Sequence, residues 1–201
     1  MATHGRSGIS RWWMGSVAEK VISEAPAPVL LIRSRQLQNT EARGKISFLD
    51  KILAPLDGSD IGQAALPYVG ILAVKASSSV TLLQAISPPG TAEASLFGGP
   101  DWKKFLKAMH NAGISYLKGV AETLEKKGIK TTYEMVTGDP ADKIVEYAEK
   151  NNITLIAMST HGRTGLTRWV LGSVADKVLH GAATPVFLVR SPKMIVSRPK
   201  D

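Results

Sequence analysis

The N-terminal end of the chain repeats a segment that lies close to its C-terminal end. Residues 1–34 align without gaps to residues 158–191, and about 20 of the 34 aligned positions are identical. Identity at this level indicates a duplicated structural unit. About 110 residues precede the second copy and have no counterpart before the first copy. The sequence therefore predicts one full unit together with the final part of a preceding one.

The repeat fixes the expected domain boundaries. We expect the fragment of a first domain over residues 1–34 and the complete domain over residues 48–191. The polar segment 35–47 is expected to be a linker, and residues 192–201 a loose tail. The chain has 201 residues, of which 44% are apolar, so one domain of this size can bury a sizeable core.

Apolar, β-branched segments alternate with helical segments throughout the complete domain. The predicted strands are residues 49–56, 79–86, 130–136, 153–159 and 185–190. Strands that are separated by helical crossovers form parallel sheets with helices on both faces. The sequence therefore predicts an α/β fold with a doubly wound, five-stranded parallel sheet of the Rossmann-like type.

Several helix boundaries can be predicted from residue type. Residues 61–76 are expected to form a helix that Pro67 kinks. Asp139, followed by a proline, is expected to be the N-cap of a later helix. Ser173 starts a Ser-x-x-Asp pattern that is typical of a capping box, so it is expected to be the N-cap of the last helix. The long helix before the third strand is expected to bury a face made of Phe105, Met109, Ala112, Tyr116, Val120 and Leu124.

The composition excludes several classes of protein. The chain has no cysteine, which excludes disulfides and cysteine-based metal sites or nucleophiles. It has no apolar run of transmembrane length and no signal-peptide pattern, so we expect a cytoplasmic protein without membrane partners. The net charge of +8 favours anionic ligands, but the basic residues are dispersed and are not interleaved with aromatic residues. A nucleic-acid partner is therefore not expected.

The expected ligand site lies between two strand ends of unusual chemistry. These are residues 55–59, which contain an Asp-Gly turn, and residues 158–173. Doubly wound sheets bind ligands beyond the carboxyl ends of strands, where the strand order reverses. Gly162 and Gly172 allow close approach of backbone N–H groups, and Ser173 begins a helix whose dipole attracts anions. The alternative is that Gly172 and Ser173 only cap this helix.

The chain has no GxxxxGK[ST] P-loop and no GxGxxG after its first strand. It does contain the segments ILAPLDGS, MSTHGRTGLTRWVLGSVADKVL and PVFLVR. With these segments the chain resembles the universal stress protein family, and the resemblance extends over the whole of residues 48–191. ATP-binding members of the family carry a G-x2-G-x9-G-[ST] motif. The corresponding residues here, with serine in place of the first glycine, are Ser159, Gly162, Gly172 and Ser173.

The resemblance implies that the chain binds ATP, with or without Mg²⁺. Asp57 would hydrogen-bond the sugar or the base of the nucleotide, with Pro55 beside it. Ala85 would line the adenine pocket, and Met158 would pack on the base. The phosphates would be held by Gly162, Gly172, Ser173 and Val174. From the residues alone, Asp57 could instead only form a turn, and Ala85 and Met158 could be ordinary strand core.

Catalysis is a weaker prediction than binding. Hydrolysis of ATP needs a positioned water, a base and acidic groups that hold a metal ion. At the expected site Asp57 is the single acidic candidate. We therefore predict an ATP-binding stress-response or regulatory module with slow hydrolysis at most. The alternative is an adenylyl-transferring or slowly hydrolysing enzyme of the related adenine nucleotide α-hydrolase type.

The resemblance also implies pairing through the last strand of the domain. Family members pair through this strand, either between two chains or between tandem domains. The first copy contains a matching strand at residues 29–32, which is too short to be stable alone. We expect it to pair antiparallel with residues 186–189 of the same chain, giving an intramolecular pseudo-dimer. A homodimer through the same edge is the alternative.

Overall fold

The computed structural model describes residues 2–3, 16–33, 48–87, 100–160 and 171–190. Its elements are, in chain order, β1 (Ala2–Thr3), α1 (Ser16–Glu24), β2 (Val29–Arg33), β3 (Lys51–Pro55), a 3₁₀ turn (Gly62–Ala65), α2 (Leu66–Ala76), β4 (Ser79–Ile86), α3 (Pro100–Glu125), β5 (Thr131–Thr137), α4 (Pro140–Lys150), β6 (Leu155–Ser159), α5 (Ser173–Gly181) and β7 (Val186–Val189). The predicted linker 35–47 and tail 192–201 lie outside the described residues, so the domain boundaries stay predictions.

The described strands form one sheet in the order β1-β2-β7-β6-β3-β4-β5. β3 to β7 are parallel to one another, which confirms the predicted five-stranded parallel sheet of the complete domain. β3 is central, with β4 and β5 on one side and β6 and β7 on the other. The strand order therefore reverses between β3 and β6, and a crevice lies at the carboxyl ends of these strands.

β2, which belongs to the first copy of the repeat, pairs antiparallel with β7, as predicted. Leu30 lies opposite Phe187, which is its own counterpart in the repeat. The pairs on either side mirror one another and are Val29–Leu188 and Leu31–Val186. β1 pairs with β2 as β6 pairs with β7: the pair Ala2–Ile32 corresponds in the repeat to the pair Ser159–Val189. The two copies are therefore related by a pseudo-two-fold axis that passes between Leu30 and Phe187.

Two hydrophobic layers cover the two faces of the sheet. Ile52 and Ala54 of β3 pack with α2 and α3, whereas Leu53 packs in the layer that contains α1, α4 and α5. This alternation follows from the period of two in a strand. Each fully buried aliphatic side chain in these layers contributes about 1.5–3 kcal/mol. Burial on both faces explains why β3 is a continuous apolar run in the sequence.

The predicted kink at Pro67 is wrong. The chain first forms the 3₁₀ turn Gly62–Ala65, and α2 begins at Leu66, so the proline falls in the first turn of the helix. A backbone N–H at this position would have no partner within the helix, and its loss in proline therefore costs little. The proline marks the start of α2 and does not bend it.

The predicted buried face of α3 is only partly correct, because Leu124 is buried and Tyr116 and Val120 are half-buried against the core, but the rest of the buried face is displaced. The residues of α3 that are buried against the sheet are Gly113, Leu117, Ala121 and Leu124. Phe105, which we expected to be buried, is 52% exposed, and Ala112 is also exposed. Two neighbouring stripes of this helix are similarly apolar in sequence, and contact with β4 and β5 selects the one around Leu117. None of the described helices combines the length and apolarity needed to cross a bilayer.

Candidate functional site

A cavity of about 640 Å³ lies at the carboxyl ends of β3, β4 and β6, beside the N-terminus of α5. It lies where the strand order reverses, which is where the sequence predicted the site. The predicted site residues that line it are Pro55, Asp57, Ala85, Met158, Ser159, Gly172, Ser173 and Val174. The remaining one, Gly162, lies outside the described residues. The fold thus brings together all the described members of the predicted site, and their roles toward a ligand stay predictions.

Asp57 is held in one orientation by the turn that follows β3. Its Oδ1 accepts hydrogen bonds from the Ser59 backbone N–H at 2.9 Å and from the Ser59 hydroxyl at 2.7 Å. The Ser59 hydroxyl oxygen in turn accepts a hydrogen bond from the Gly62 N–H at 3.0 Å. A Cβ at position 62 would collide with the Asp57 carboxylate, so this close approach requires glycine. Asp57 therefore forms a turn and also lines the cavity.

The helices α4 and α5 both begin at the cavity, but their N-termini differ. Asp139 is the N-cap of α4, as predicted, and its Oδ1 accepts hydrogen bonds from the N–H groups of Ala141 at 3.0 Å and Asp142 at 3.3 Å. The N-cap of α5 is Gly172, which has no side chain with which to cap the helix. A helix start of this kind leaves its first backbone N–H groups to another acceptor.

The prediction that Ser173 is the N-cap of α5 is wrong. The helix starts one residue earlier, because the Asp176 N–H donates to the Gly172 carbonyl at 2.9 Å and Ser173 is already the first helical residue. The Asp176 carboxylate, which would complete a capping box, lies 3.4 Å from His180 Nδ1. The pattern of residue types was correct for a helix start but wrong by one position.

The predicted base pocket lies on the α4 and α5 side of the sheet. Met158 is buried in the same layer as Ile144, and Val174 packs against this layer. Ala85 faces the same side, because it alternates along β4 with Leu83, which belongs to this layer. Apolar side chains from β4, β6 and α4 therefore surround the space in front of the α5 N-terminus.

The residues that line the cavity on the α3 side of β4 are not among the predicted site residues. They include Gln84 of β4, Gly113 and Tyr116 of α3, and Met135 of β5. Burial raises the pKa of the Tyr116 phenol, and the charge of Asp57 raises it further. The sequence does contain one sign that this strand lines a cavity, because Gln84 is an isolated amide in the apolar end of the strand SVTLLQAI.

The described residues contain no group of three or more His, Cys, Asp or Glu side chains that could hold a metal ion. Mg²⁺ is commonly held by one or two carboxylates together with substrate phosphates. Asp57 is the acidic side chain that lines the cavity among the described residues. A Mg²⁺ ion at this site would therefore depend on a phosphate ligand for its coordination.

Fold and cavity together define a doubly wound α/β protein with a cavity at the reversal of strand order. The family model described as "Universal stress protein family" matches residues 1–33 and 49–190. The chain therefore belongs to the universal stress protein family. The matched residues include 1–33 of the first copy of the repeat and 158–190 of the second.

Individual relatives agree with this assignment. Universal stress protein MJ0531 of Methanocaldococcus jannaschii is 34% identical over 169 residues, which cover 82% of this chain and 96% of that protein. The solved structure of MJ0577 from the same organism is 28% identical, with a TM-score of 0.63, over 72% of this chain and 97% of that one. A universal stress protein solved in complex with cAMP shares the fold at 20% identity and a TM-score of 0.52, over 72% of this chain and 99% of that one.

Proposed function

We propose that this chain is a nucleotide-binding stress-response or regulatory protein that holds ATP in the cavity at the reversal of strand order. One observation carries the proposal. The N-terminus of α5, whose N-cap is a glycine, opens into the same cavity as Asp57 and as the apolar pocket of Ala85 and Met158. An anion site, a carboxylate and an apolar pocket are the three environments that the phosphates, sugar and base of a nucleotide require.

The contrast between the two helix N-termini supports the position of the phosphates. The carboxylate of Asp139 already occupies the N-terminus of α4, whereas α5 begins with a glycine. Gly172 has φ −59° and ψ 145°, a conformation that any residue adopts, so the backbone does not require glycine there. The absence of a Cβ beside the α5 N–H groups instead suits the close approach of a phosphate.

The apolar pocket supports the position of the base. Met158 and Ala85 face the layer that contains Ile144, and a flat apolar ring gains free energy when it leaves water in such surroundings. The small side chain of Ser159, at the end of β6, leaves room between the base and the phosphates. Another protein of this fold was solved with cAMP, which is itself an adenine nucleotide.

Slow or absent hydrolysis fits this site better than efficient catalysis. Asp57 Oδ1 already accepts two hydrogen bonds from Ser59, which fixes the carboxylate in its turn. We expect ATP turnover below about 1 s⁻¹, under the range of kinases. A steady-state phosphate-release assay checks this. Faster turnover that disappears in Asp57→Ala would favour the adenylyl-transferring or ATP-hydrolysing alternative.

Calorimetry with ATP and GTP tests the proposed function directly. We expect ATP to bind more tightly than GTP, because the pocket of Met158 and Ala85 offers apolar side chains to the base. No heat with ATP at high micromolar concentration would contradict the proposal. Mass spectrometry of small molecules released from the purified protein provides an independent check, since a retained nucleotide would be identified by its mass.

A further inference from the structure

The turn after β3 brings two residues of the cavity wall into direct contact. Asp57 and Gly62 both line the cavity, and Asp57 is only half-buried there. The closest atom that a Cβ at position 62 would meet is Asp57 Oδ1. The residue at position 62 therefore controls which orientation the Asp57 carboxylate can adopt in the wall of the cavity.

Ser59 closes this arrangement through hydrogen bonds. Its backbone N–H and its hydroxyl both donate to Asp57 Oδ1, at 2.9 Å and 2.7 Å. Its hydroxyl oxygen also accepts a hydrogen bond from the Gly62 N–H at 3.0 Å. Ser59 itself is not among the described residues that line the cavity. The route by which Ser59 affects a bound ligand is therefore Asp57.

The backbone does not require glycine at position 62. Gly62 lies in the 3₁₀ turn, and it is not among the described glycines that have a positive φ. Alanine is more favourable than glycine in helical backbone. The three nearest atoms that a Cβ would meet are Asp57 Oδ1, Asp57 Cγ at 3.1 Å and Ser59 Oγ at 3.3 Å. What glycine provides here is therefore room for the Asp57 carboxylate.

The same hydrogen bonds would form if the segment were only a tight turn, since an Asp side chain commonly binds the backbone two residues further on. Two observations connect the arrangement with the cavity. Both partners of the close contact, Asp57 and Gly62, are part of the cavity wall. Burial raises the pKa of the Tyr116 phenol, and the charge of Asp57 raises it further, so the carboxylate lies near another residue that lines the cavity. The carboxylate is therefore held beside the space that a ligand would occupy.

We propose that Ser59 and Gly62 are positioning residues, which hold the Asp57 carboxylate in the cavity wall as a fixed acceptor for a hydrogen-bond donor of the bound nucleotide. A carboxylate only accepts hydrogen bonds, so the group that it recognises is a hydroxyl of the sugar or the amino group of the base. A side chain that is already held in place loses little conformational entropy when the ligand binds. The proposal deepens the proposed function and rests on it.

Substitution of the glycine has the largest expected effect on the position of the carboxylate. In Gly62→Ala the new Cβ displaces the Asp57 carboxylate, which is the flexible end of a side chain, so the protein can still fold. We expect ATP affinity, measured by calorimetry, to fall at least about tenfold, as for the loss of a hydrogen bond to a charged group. Gly119→Ala is the matched control, because its Cβ would meet nothing within 4 Å, and it should leave ATP affinity unchanged.

Ser59 offers a test with rescue by a conservative variant. Ser59→Ala removes the hydroxyl that donates to Asp57, and it should weaken ATP binding about three- to tenfold. Ser59→Thr keeps a hydroxyl and should bind ATP within about twofold of the unchanged protein. In an Asp57→Ala background, neither Ser59→Ala nor Gly62→Ala should have a further effect, because the group that they position is absent. A further loss in that background would show that the two residues support only the turn, which would overturn the proposal.

Two ATP analogues distinguish the two sources of the hydrogen-bond donor. One, 2′,3′-dideoxy-ATP, lacks the sugar hydroxyls, and the other, purine riboside triphosphate, lacks the amino group of the base. The analogue without the recognised donor should bind Gly62→Ala and the unchanged protein equally, whereas the other analogue should show the same loss as ATP. If both analogues lose as much affinity as ATP does, the carboxylate contacts neither group and the proposal is overturned.

Amide exchange tests the positioning without a nucleotide. The Ser59 N–H donates to Asp57 Oδ1, so its exchange should become faster in Gly62→Ala and stay unchanged in Gly119→Ala. Unchanged exchange at Ser59 in Gly62→Ala, or ATP binding by this variant equal to that of the unchanged protein, would overturn the proposal while the proposed ATP site stands. Absence of ATP binding by the unchanged protein would instead overturn the proposed function, and this proposal with it.

Discussion

The two copies of the repeat have similar sequences but different surroundings. Ala18 of α1 and its counterpart Ala175 of α5 are both buried in the same core layer. Val21, however, is 39% exposed, whereas its counterpart Val178 is completely buried. Burial of the shared helix therefore depends on what lies beside it and not on its own pattern.

The difference in burial between Val21 and Val178 arises from α4. α5 packs against α4, and the ion pair between Lys177 Nζ and Asp139 Oδ2 at 3.1 Å joins the two helices. Among the described residues, α1 has no counterpart of α4 beside it. The first copy therefore completes the sheet through β2, while the second copy also forms one side of the cavity.

The largest expected effect comes from deletion of residues 1–36. The deletion removes the buried side chains of Ile22 and Leu31 and uncovers the edge of β7, so we expect the free energy of unfolding to fall by about 3–6 kcal/mol. The symmetric register around Leu30 and Phe187 means that β7 can pair with β7 of a second copy, so the truncated chain should also dimerise. Denaturant unfolding and analytical ultracentrifugation measure the two effects.

Deletion of residues 192–201 is the control for this experiment, and we expect it to change neither quantity. If removal of residues 1–36 leaves both stability and oligomeric state unchanged, the first copy contributes nothing to the fold. Hydrogen exchange at Leu30 adds a local test. Its amide should be protected if β2 pairs with β7 in solution.

The next largest expected effect is on ATP affinity, which should depend on the second copy of the repeat and not on the first. Gly172→Val should weaken ATP binding at least about 100-fold, or roughly 2.7 kcal/mol, because its branched side chain would occupy the space of a phosphate. The aligned substitution in the first copy, Gly15→Val, should leave affinity unchanged, since none of the described residues that line the cavity belongs to the first copy. Calorimetry measures both. Normal ATP binding by Gly172→Val would mean that the phosphates lie elsewhere.

A smaller effect compares the same core position in the two helices. Val178→Ala should lower the free energy of unfolding by about 2 kcal/mol, because the Val178 side chain on α5 is fully buried in the core. Val21→Ala should change it by no more than about 0.5 kcal/mol, as is usual for exposed positions. Urea unfolding of the two variants measures the difference. Equal losses of unfolding free energy would show that Val21 of α1 is packed as closely as Val178 of α5.

The smallest effect concerns the link between α5 and α4. The hydrogen bond from Lys177 and that from the Asp142 N–H hold the pKa of Asp139 below its usual value of 3.8. The stabilisation is therefore fully present above pH 3.8 and is lost as the pH falls through the lowered pKa. Asp139→Ala should cost about 1 kcal/mol at neutral pH, mostly from the lost cap.

The part of this cost that depends on the carboxylate charge should disappear as the solution is acidified below the lowered pKa, which unfolding measured as a function of pH can follow. The part that remains is the cap, which a protonated carboxyl can still provide through its carbonyl oxygen. Asp139→Asn is the matched control, because its amide oxygen can still cap α4. It should lose less than Asp139→Ala. A cost for Asp139→Ala that does not change with pH would show that the carboxylate charge has no part in stability.

Much of the fold could be predicted from the sequence. The strand 79–86 matches β4 residue for residue, and Asp139 caps α4 as expected, because both depend on local residue chemistry. The location of the cavity followed from the alternation of strands and helices, which determines where the strand order reverses. The errors at Ser173 and in the buried face of α3 occurred where two neighbouring positions are equally suitable by residue type.

The sequence by itself determined the duplicated unit, the parallel sheet and the residues that would meet at its carboxyl edge, because periodicity and turn chemistry are local properties. Only the tertiary structure decided that Gln84 Oε1 and the Tyr116 hydroxyl are buried without a hydrogen-bond partner among the described residues, and that Val21 is exposed while Val178 is not. Burial is a property of what packs against a residue. A side chain's neighbours are brought to it from distant parts of the chain, and no pattern around that residue contains them.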